Sequence, residues 1–249
     1  GVRIEHPQAL IDEIQYKQNP RDKFLPASSY KLTAQVNGRG VFSFCMCPGG
    51  FIVPSATMPE QVVVNGMSSS KRNSPFANSG IVVSININDI PEFKESGVFA
   101  GLKFQEKIEN LAWNMADKTQ KAPAQRLSDF LNGICSQSLP QSSYFPGIIS
   151  SPIHKWLPLN LYDPLKHAFI DFDRKMHGFI TNEAIVTAVE SRTSSPIRIL
   201  RDSQSYMSVS VKGLFPCGEG AGYAGGITSS AIDGENCANM VFNYYNYCK

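Results

Sequence analysis

Gly218-Glu219-Gly220-Ala221-Gly222-Tyr223-Ala224-Gly225-Gly226 places five glycines and one acid in nine residues. An apolar run ending Gly213-Leu214-Phe215-Pro216 precedes it, and an amphipathic stretch follows as far as Tyr245. The order reads as strand, glycine loop, helix. Glycine lets a backbone turn sharply and approach a ligand, and the first amides of a helix carry partial positive charge suited to phosphate or an electron-rich heterocycle. A nucleotide-type cofactor is the expected guest. Gly220, Gly222 and Gly225 match the GxGxxG spacing, but that motif needs a later acid on a second strand to hold a ribose, and the sequence stops at Lys249. The loop is therefore expected to close a cofactor domain, with Glu219 accepting hydrogen bonds from sugar or ribityl hydroxyls. A tight strand-to-helix turn without a ligand is the plain alternative.

The 249 residues suffice for one large domain or two small ones, and 42% hydrophobic content supplies a core. No apolar run approaches the roughly 20 residues of a membrane helix, and no charged-then-apolar leader opens the chain. The expectation is a globular cytoplasmic protein with no membrane contact. Net charge is +2, from 23 Lys+Arg against 21 Asp+Glu, so no long-range field favours nucleic acid. Cys45, Cys47, Cys135, Cys217, Cys237 and Cys248 are too few for a disulfide scaffold and include no CxxC pair for zinc. Cys45 and Cys47, two apart on an expected strand, point to one face; buried small hydrophobes are the default reading and a redox pair the alternative. The sequence opens Gly1-Val2-Arg3 without an initiator Met, and a piece of a longer protein is expected.

Short β-rich runs at 30–36, 41–46, 51–55, 61–65 and 81–87 predict an antiparallel sheet or partial barrel, broken at Asn37-Gly38, Pro48-Gly49-Gly50 and Asn65-Gly66. A short helix over 7–18 is expected before it. Helical spacing begins at residue 98 and is read through 134, returns over 159–176, and is separated by a Ser- and Pro-rich loop at 136–152. Strands are expected again at 184–191, 197–200 and 207–211. The final helix places Ile227, Ala231, Ala238, Val241 or Phe242, and Tyr245 on one face, which should pack on a sheet. The fold class is thus mixed α+β: a β-rich region over 1–97, a helical region over 98–180, and closing strands with a strand-loop-helix over 181–249.

Several ordered blocks carry a family likeness. Gly1-Val2-Arg3-Ile4-Glu5-His6-Pro7-Gln8, Phe44-Cys45-Met46-Cys47-Pro48-Gly49-Gly50, Asn65-Gly66-Met67-Ser68 with Ala77-Asn78-Ser79, Ser191-Arg192-Thr193-Ser194-Ser195-Pro196, and the glycine loop with Ile227 and Ala231-Ile232-Asp233-Gly234 occur in this order. Together they resemble the C-terminal half of bacterial FAD-dependent dehydrogenases of unassigned substrate, similar to the HI0933-like flavoproteins. The resemblance implies a chain about twice this length. Its other half would carry the opening GxGxxG and grip the adenosine, while this half supplies a substrate (cap) domain and the last strand-loop-helix of a Rossmann-like FAD domain. It further implies that Gly218, Glu219 and Gly220 approach the ribityl and phosphate part of FAD, and that Gly225, Gly226 and Ile227 set a helix N-terminus beside the flavin ring. Such a fragment alone would be inactive and bind FAD weakly or not at all, its partners being the missing N-terminal half and a small-molecule substrate.

Arg192-Thr193-Ser194-Ser195-Pro196-Ile197-Arg198 joins two cations and three hydroxyls at a proline-set bend, suited to an anion or a carbonyl-bearing ring. Thr193, Ser194 and Ser195 are assigned to the cofactor and Arg192 and Arg198 to substrate, with a solvated, self-capped loop as the alternative. His6, beside Glu5, is the candidate for proton transfer or substrate contact, against a structural histidine. Ser68-Ser69-Ser70-Lys71-Arg72-Asn73 reads as a surface loop. No HxxxH metal spacing, GxSxG elbow or GxxxxGK[ST] loop occurs, so metal, hydrolase and kinase chemistry are not expected. A flavin-related RNA-binding or tRNA-modifying protein and a non-catalytic interaction module are the alternatives to an oxidoreductase.

Overall fold

The computed structural model describes residues 1–247; Cys248 lies outside them. In chain order the elements are β1 (Val2–Pro7), α1 (Gln8–Tyr16), β2 (Thr33–Val36), β3 (Arg39–Cys47), β4 (Gly50–Pro54), β5 (Val64–Ser68) and β6 (Phe76–Val83). After 3-10 turns at Ile87–Asp89 and Pro91–Phe99 come α2 (Ala100–Asn114), β7 (Ala122–Arg126), α3 (Leu127–Asn132), β8 (Ile148–Ser150), α4 (Ile153–Trp156), α5 (Leu159–Lys175), β9 (Ile185–Thr187) and α6 (Ile227–Tyr247). Two compact units result, the first formed by Gly1–Asp89 with Gln105–Ser191, the second by Ile90–Phe104 with the chain from Arg192 onward.

The first unit is a mixed α+β fold around a seven-stranded sheet of order β2-β3-β6-β1-β9-β7-β8, antiparallel except for β7 beside β8, with β4 and β5 forming a separate hairpin. The opening residues form its centre. β1 pairs with β6 on one side and β9 on the other, and Val2 through His6 are all buried. Because side chains alternate across a strand, Val2, Ile4 and His6 share one face and Arg3 and Glu5 the other.

The apolar face is covered by α5, whose buried Leu161, Leu165, Ala168, Phe169 and Phe172 recur at the three- and four-residue spacing of one helical stripe. Phe169 stacks on Phe179 with ring centroids 6.3 Å apart, and Phe130 meets Phe169 edge-on at 5.9 Å. His6 belongs to this core: its ring lies 4.6 Å from that of Phe179, and Nε2 is 2.8 Å from the Phe179 carbonyl. Burial drives its pKa down to about 4, against the weaker opposing pull of that carbonyl. The folded state thus holds a neutral imidazole, whereas the unfolded chain protonates near the ordinary value of 6.5. Between those values the unfolded state binds more protons, so stability falls as pH drops from about 6.5 towards 4, at up to ~1.4 kcal/mol per pH unit. His6→Gln should flatten that part of the pH–stability curve, measured by urea midpoints from pH 7 to 4.

The opposite face carries a buried ion pair. Arg3 is fully buried, and its Nε and Nη2 each donate to the Glu190 carboxylate at 2.6 Å. Nη1 donates to Asn78 Oδ1 at 2.7 Å, and Nη2 reaches Asn65 Oδ1 at 3.3 Å. Glycine makes the space for this pair. A Cβ at Gly66 would overlap the guanidinium and the Asn78 carboxamide, and one at Gly80 would stand 2.8 Å from Glu190 Oε1. Glu5, next along β1, accepts from the backbone amide and the hydroxyl of Ser143.

Several sequence expectations change. The helix read through 124–134 is strand β7 followed by α3, because Pro123 removes a helix donor and Ala122 and Ala124 are fully buried in the sheet. Strands expected at 197–200 and 207–211, and before the glycine loop at 213–216, do not form. That stretch bonds largely within itself in turns, with one isolated bridge between Arg201 and Ser208 and a bond from Ile199 to the glycine loop, since a lone strand has no neighbour to satisfy its backbone. Correspondingly, α6 does not bury its expected face. Ile227 is 88% and Phe242 68% exposed, while Cys237 is buried on the other side. No helix of the described residues is long and apolar enough to cross a membrane.

Candidate functional site

The glycine loop and the Arg192–Arg198 segment, remote in sequence, meet in the second unit. Ile199 donates its backbone N–H to the Ala221 carbonyl at 3.1 Å, and Arg198 Nε donates to the Gly222 carbonyl at 2.9 Å. Ser195 Oγ bonds the Ile197 carbonyl at 2.8 Å and lies 3.4 Å from that of Gly220. Within the loop, Gly222 N–H reaches the Glu219 carbonyl at 2.9 Å and Tyr223 N–H the Gly218 carbonyl at 3.0 Å. These bonds make 218–223 a set of consecutive turns.

Gly222 is required by this arrangement. Its φ is +83°, and a Cβ there would stand 2.6 Å from the Ile197 carbonyl oxygen. Gly220 differs, because a Cβ there would meet nothing within 4 Å; Gly218 has the same open space, but its φ of +69° requires glycine for the turn. Their backbone faces open space, and Glu219 between them is exposed. A tight turn alone has no need of bare backbone at Gly220, whereas a ligand lying on the loop does.

The loop ends at the N-terminus of α6. Ser230 N–H to Gly226 C=O is the first bond of the helix at 2.9 Å, which leaves the amides of Ile227, Thr228 and Ser229 outside its ladder. Ile227 is exposed, and a Cβ at Gly225 would touch only the Thr193 carbonyl, at 3.6 Å. The Thr193–Ser195 segment, the glycine loop and an open helix start therefore form one surface.

A residue pair outside the sequence-derived site holds it together. Asp233, on the second turn of α6, takes Arg201 Nη2 at 2.6 Å and Nη1 at 3.0 Å, and accepts the Gly218 N–H at 2.8 Å. Arg201 also donates to the Pro216 carbonyl at 2.7 Å and lies 3.7 Å above the Tyr223 ring and 4.0 Å from that of Tyr206. The guanidinium holds the Asp233 carboxyl down at about 2. One acid thereby ties the start of the loop to the helix that follows it. Its only sequence signal was an acid inside the apolar Ala231-Ile232-Asp233-Gly234 block. Asp233→Ala should cost about 1.5–3 kcal/mol, the range for a hydrogen bond to a charged group, and should speed amide exchange at Gly218 and Tyr223.

The remaining candidates fall as follows. Arg192 is half-buried in the second unit, and Arg198 is exposed with its guanidinium 5.1 Å from the Tyr223 ring. His6 belongs to the first unit's core, with no surface to present to a substrate. No group of three or more potential metal ligands occurs among the described residues.

The family described as "FAD-dependent protein, C-terminal domain-like" matches residues 1–193, a stretch that includes every strand of the fold. An uncharacterized protein of Clostridium beijerinckii is 41% identical over 253 residues, an alignment covering all of this chain and 47% of that protein. The chain thus spans about half the length of the relative it matches. The glycine loop lies beyond the family match but within the alignment to that relative.

Proposed function

Because the chain belongs to the FAD-dependent protein, C-terminal domain-like family, we propose that it is the C-terminal half of a flavin-dependent oxidoreductase of the dehydrogenase type, kin to the HI0933-like flavoproteins. In this reading the β-rich and helical regions line the substrate chamber and residues 181–249 close the flavin site. The observation that carries it is the open backbone at Gly218 and Gly220 beside an exposed carboxylate and a free helix N-terminus.

These groups suit FAD in kind. Glu219 would accept hydrogen bonds from ribityl hydroxyls, with Gly218 and Gly220 giving the backbone approach that a side chain would block. Gly225 and Gly226 lead into the amides at Ile227, whose partial positive charge favours negative charge on a neighbouring ring. Thr193, Ser194 and Ser195 offer hydroxyls to the same surface, and Arg192 and Arg198 offer cations to an anionic or carbonyl-bearing substrate. FAD, when bound, supplies the hydride-transfer chemistry. His6 keeps a structural role.

The full-length protein should purify yellow, with one FAD per chain released on denaturation. A colourless protein that takes up no added FAD overturns the reading.

A further inference from the structure

Cys45 and Cys47 sit on β3 at a defect in the sheet. β3 pairs with β6 in register up to Phe44 opposite Gly80, then resumes at Cys47 opposite Asn78, so three steps on β3 answer two on β6. The extra residue is a β-bulge, a device that re-aims a side chain. Cys45 takes the left-handed conformation, with φ at +48°, which a non-glycine residue holds only when its surroundings impose it. What imposes it is visible: Arg3 Nη1 donates to the Cys45 carbonyl at 3.3 Å, and the Cys47 thiol donates to the same carbonyl at 3.3 Å.

The two thiols are unlike. Cys45 is exposed and Cys47 is buried, and neither is in a disulfide. The Cys45 thiol is pulled down to about 6, chiefly by the Cys47 thiol beside it and also by the Arg3 charge. The Cys47 thiol is pushed well up, first by its side-chain hydrogen bond with Cys45 and then by burial. An accessible thiolate backed by a protected thiol has the asymmetry of an attacking and a resolving cysteine. Asn78 adds a buried amide nitrogen with no hydrogen-bond partner in the same cluster, a donor left for a further acceptor.

We propose that Cys45 and Cys47 form a redox-active dithiol that reduces a low-molecular-weight disulfide of the glutathione or cystine type. The Cys45 thiolate attacks one sulfur of the substrate; that S–S bond breaks and one thiolate leaves, taking up a proton. Cys47, giving its proton to solvent, attacks Cys45 Sγ, breaks the mixed disulfide and releases the second thiolate, which is protonated in turn. The protein dithiol loses two electrons and becomes the Cys45–Cys47 disulfide, while one substrate disulfide becomes two thiols. The exchange needs no flavin, so its failure and that of the flavin reading are distinguishable.

The test uses the full-length protein, reduced, desalted and exposed to glutathione disulfide, with peptide mapping by mass spectrometry. Wild type should lose both thiols to a Cys45–Cys47 disulfide, and Cys47→Ser should stop at one glutathione on Cys45. Cys45→Ser should leave Cys47 unmodified. Alkylation of Cys45 in Cys47→Ala and in wild type, run from pH 5 to 9, should show wild-type reactivity retained at pH 6.5 and the variant's midpoint moved upward. Glutathione distributed equally over Cys45 and the exposed thiols Cys135 and Cys217, or no Cys45–Cys47 disulfide in wild type, overturns the proposal.

Discussion

Arg3→Met should destabilise the seven-stranded sheet by about 3–5 kcal/mol, the cost of removing one partner from a buried ion pair. Glu190 would remain in the interior with both of its guanidinium bonds gone, and Asn78 and Asn65 would each lose a donor. The site offers little relief. Gly66 and Gly80 approach the pair so closely that no side chain there can swing in to replace the lost charge. Trp113 and Trp156 both lie in the first unit, so their fluorescence in urea reports its unfolding. The double variant Arg3→Met with Glu190→Leu should recover a large part of the loss, because the penalty comes from the stranded carboxylate more than from the absent attraction. A single variant within about 1 kcal/mol of wild type would show that water reaches Glu190 and screens it.

Glu219→Ala in the full-length protein should weaken FAD binding about 10- to 100-fold, the equivalent of the ~1.5–3 kcal/mol that a charge-assisted hydrogen bond contributes. The side chain is exposed between two open glycines, so its loss leaves the turns intact: those bonds run through the carbonyls of Gly218 and Glu219. Stability should therefore stay within about 0.5 kcal/mol of wild type, as for a surface substitution away from special features. Unchanged flavin content would reduce the loop to a turn. Gly222→Ala is the structural counterpart, expected to disturb the loop whether or not flavin is present, because its Cβ would strike the Ile197 carbonyl.

The helices with a continuous apolar stripe were legible from spacing alone. α5 forms within one residue of its expected range, and α2 begins two residues after the helical period does. β1 was not legible as a strand. It is buried on both faces, and Arg3, Glu5 and His6 within six residues break the apolar run expected of such a strand, since pattern alone cannot show that Glu190, Ser143 and Phe179 await them. β7 was mistaken for helix because alanine and glutamine favour helices locally, and its strand character comes from pairing with β9 and β8.

At the candidate site, the glycines, Glu219 and the Arg192–Arg198 segment were chosen from the sequence. The Arg201–Asp233 clamp was not, because its partners are 32 residues apart and either alone is an ordinary surface charge. The expected apolar face of α6 was a sound reading of period with the wrong outcome: the helix turns towards the buried Cys237 and the Asp233 anchor, leaving Ile227 and Phe242 in solvent.

By itself the sequence determined the local chemistry: where glycine frees the backbone, where a helix begins and which residue types surround it, since these depend on neighbours a few positions away. Only the tertiary structure decided that the first six residues are the centre of a sheet, that Arg3 and Glu190 meet inside it, and that a bulge turns Cys45 out while Cys47 stays buried. Each of those outcomes rests on partners brought together by strand pairing across tens to hundreds of residues, and the energy of a buried charge or a strained backbone depends on what closes over it.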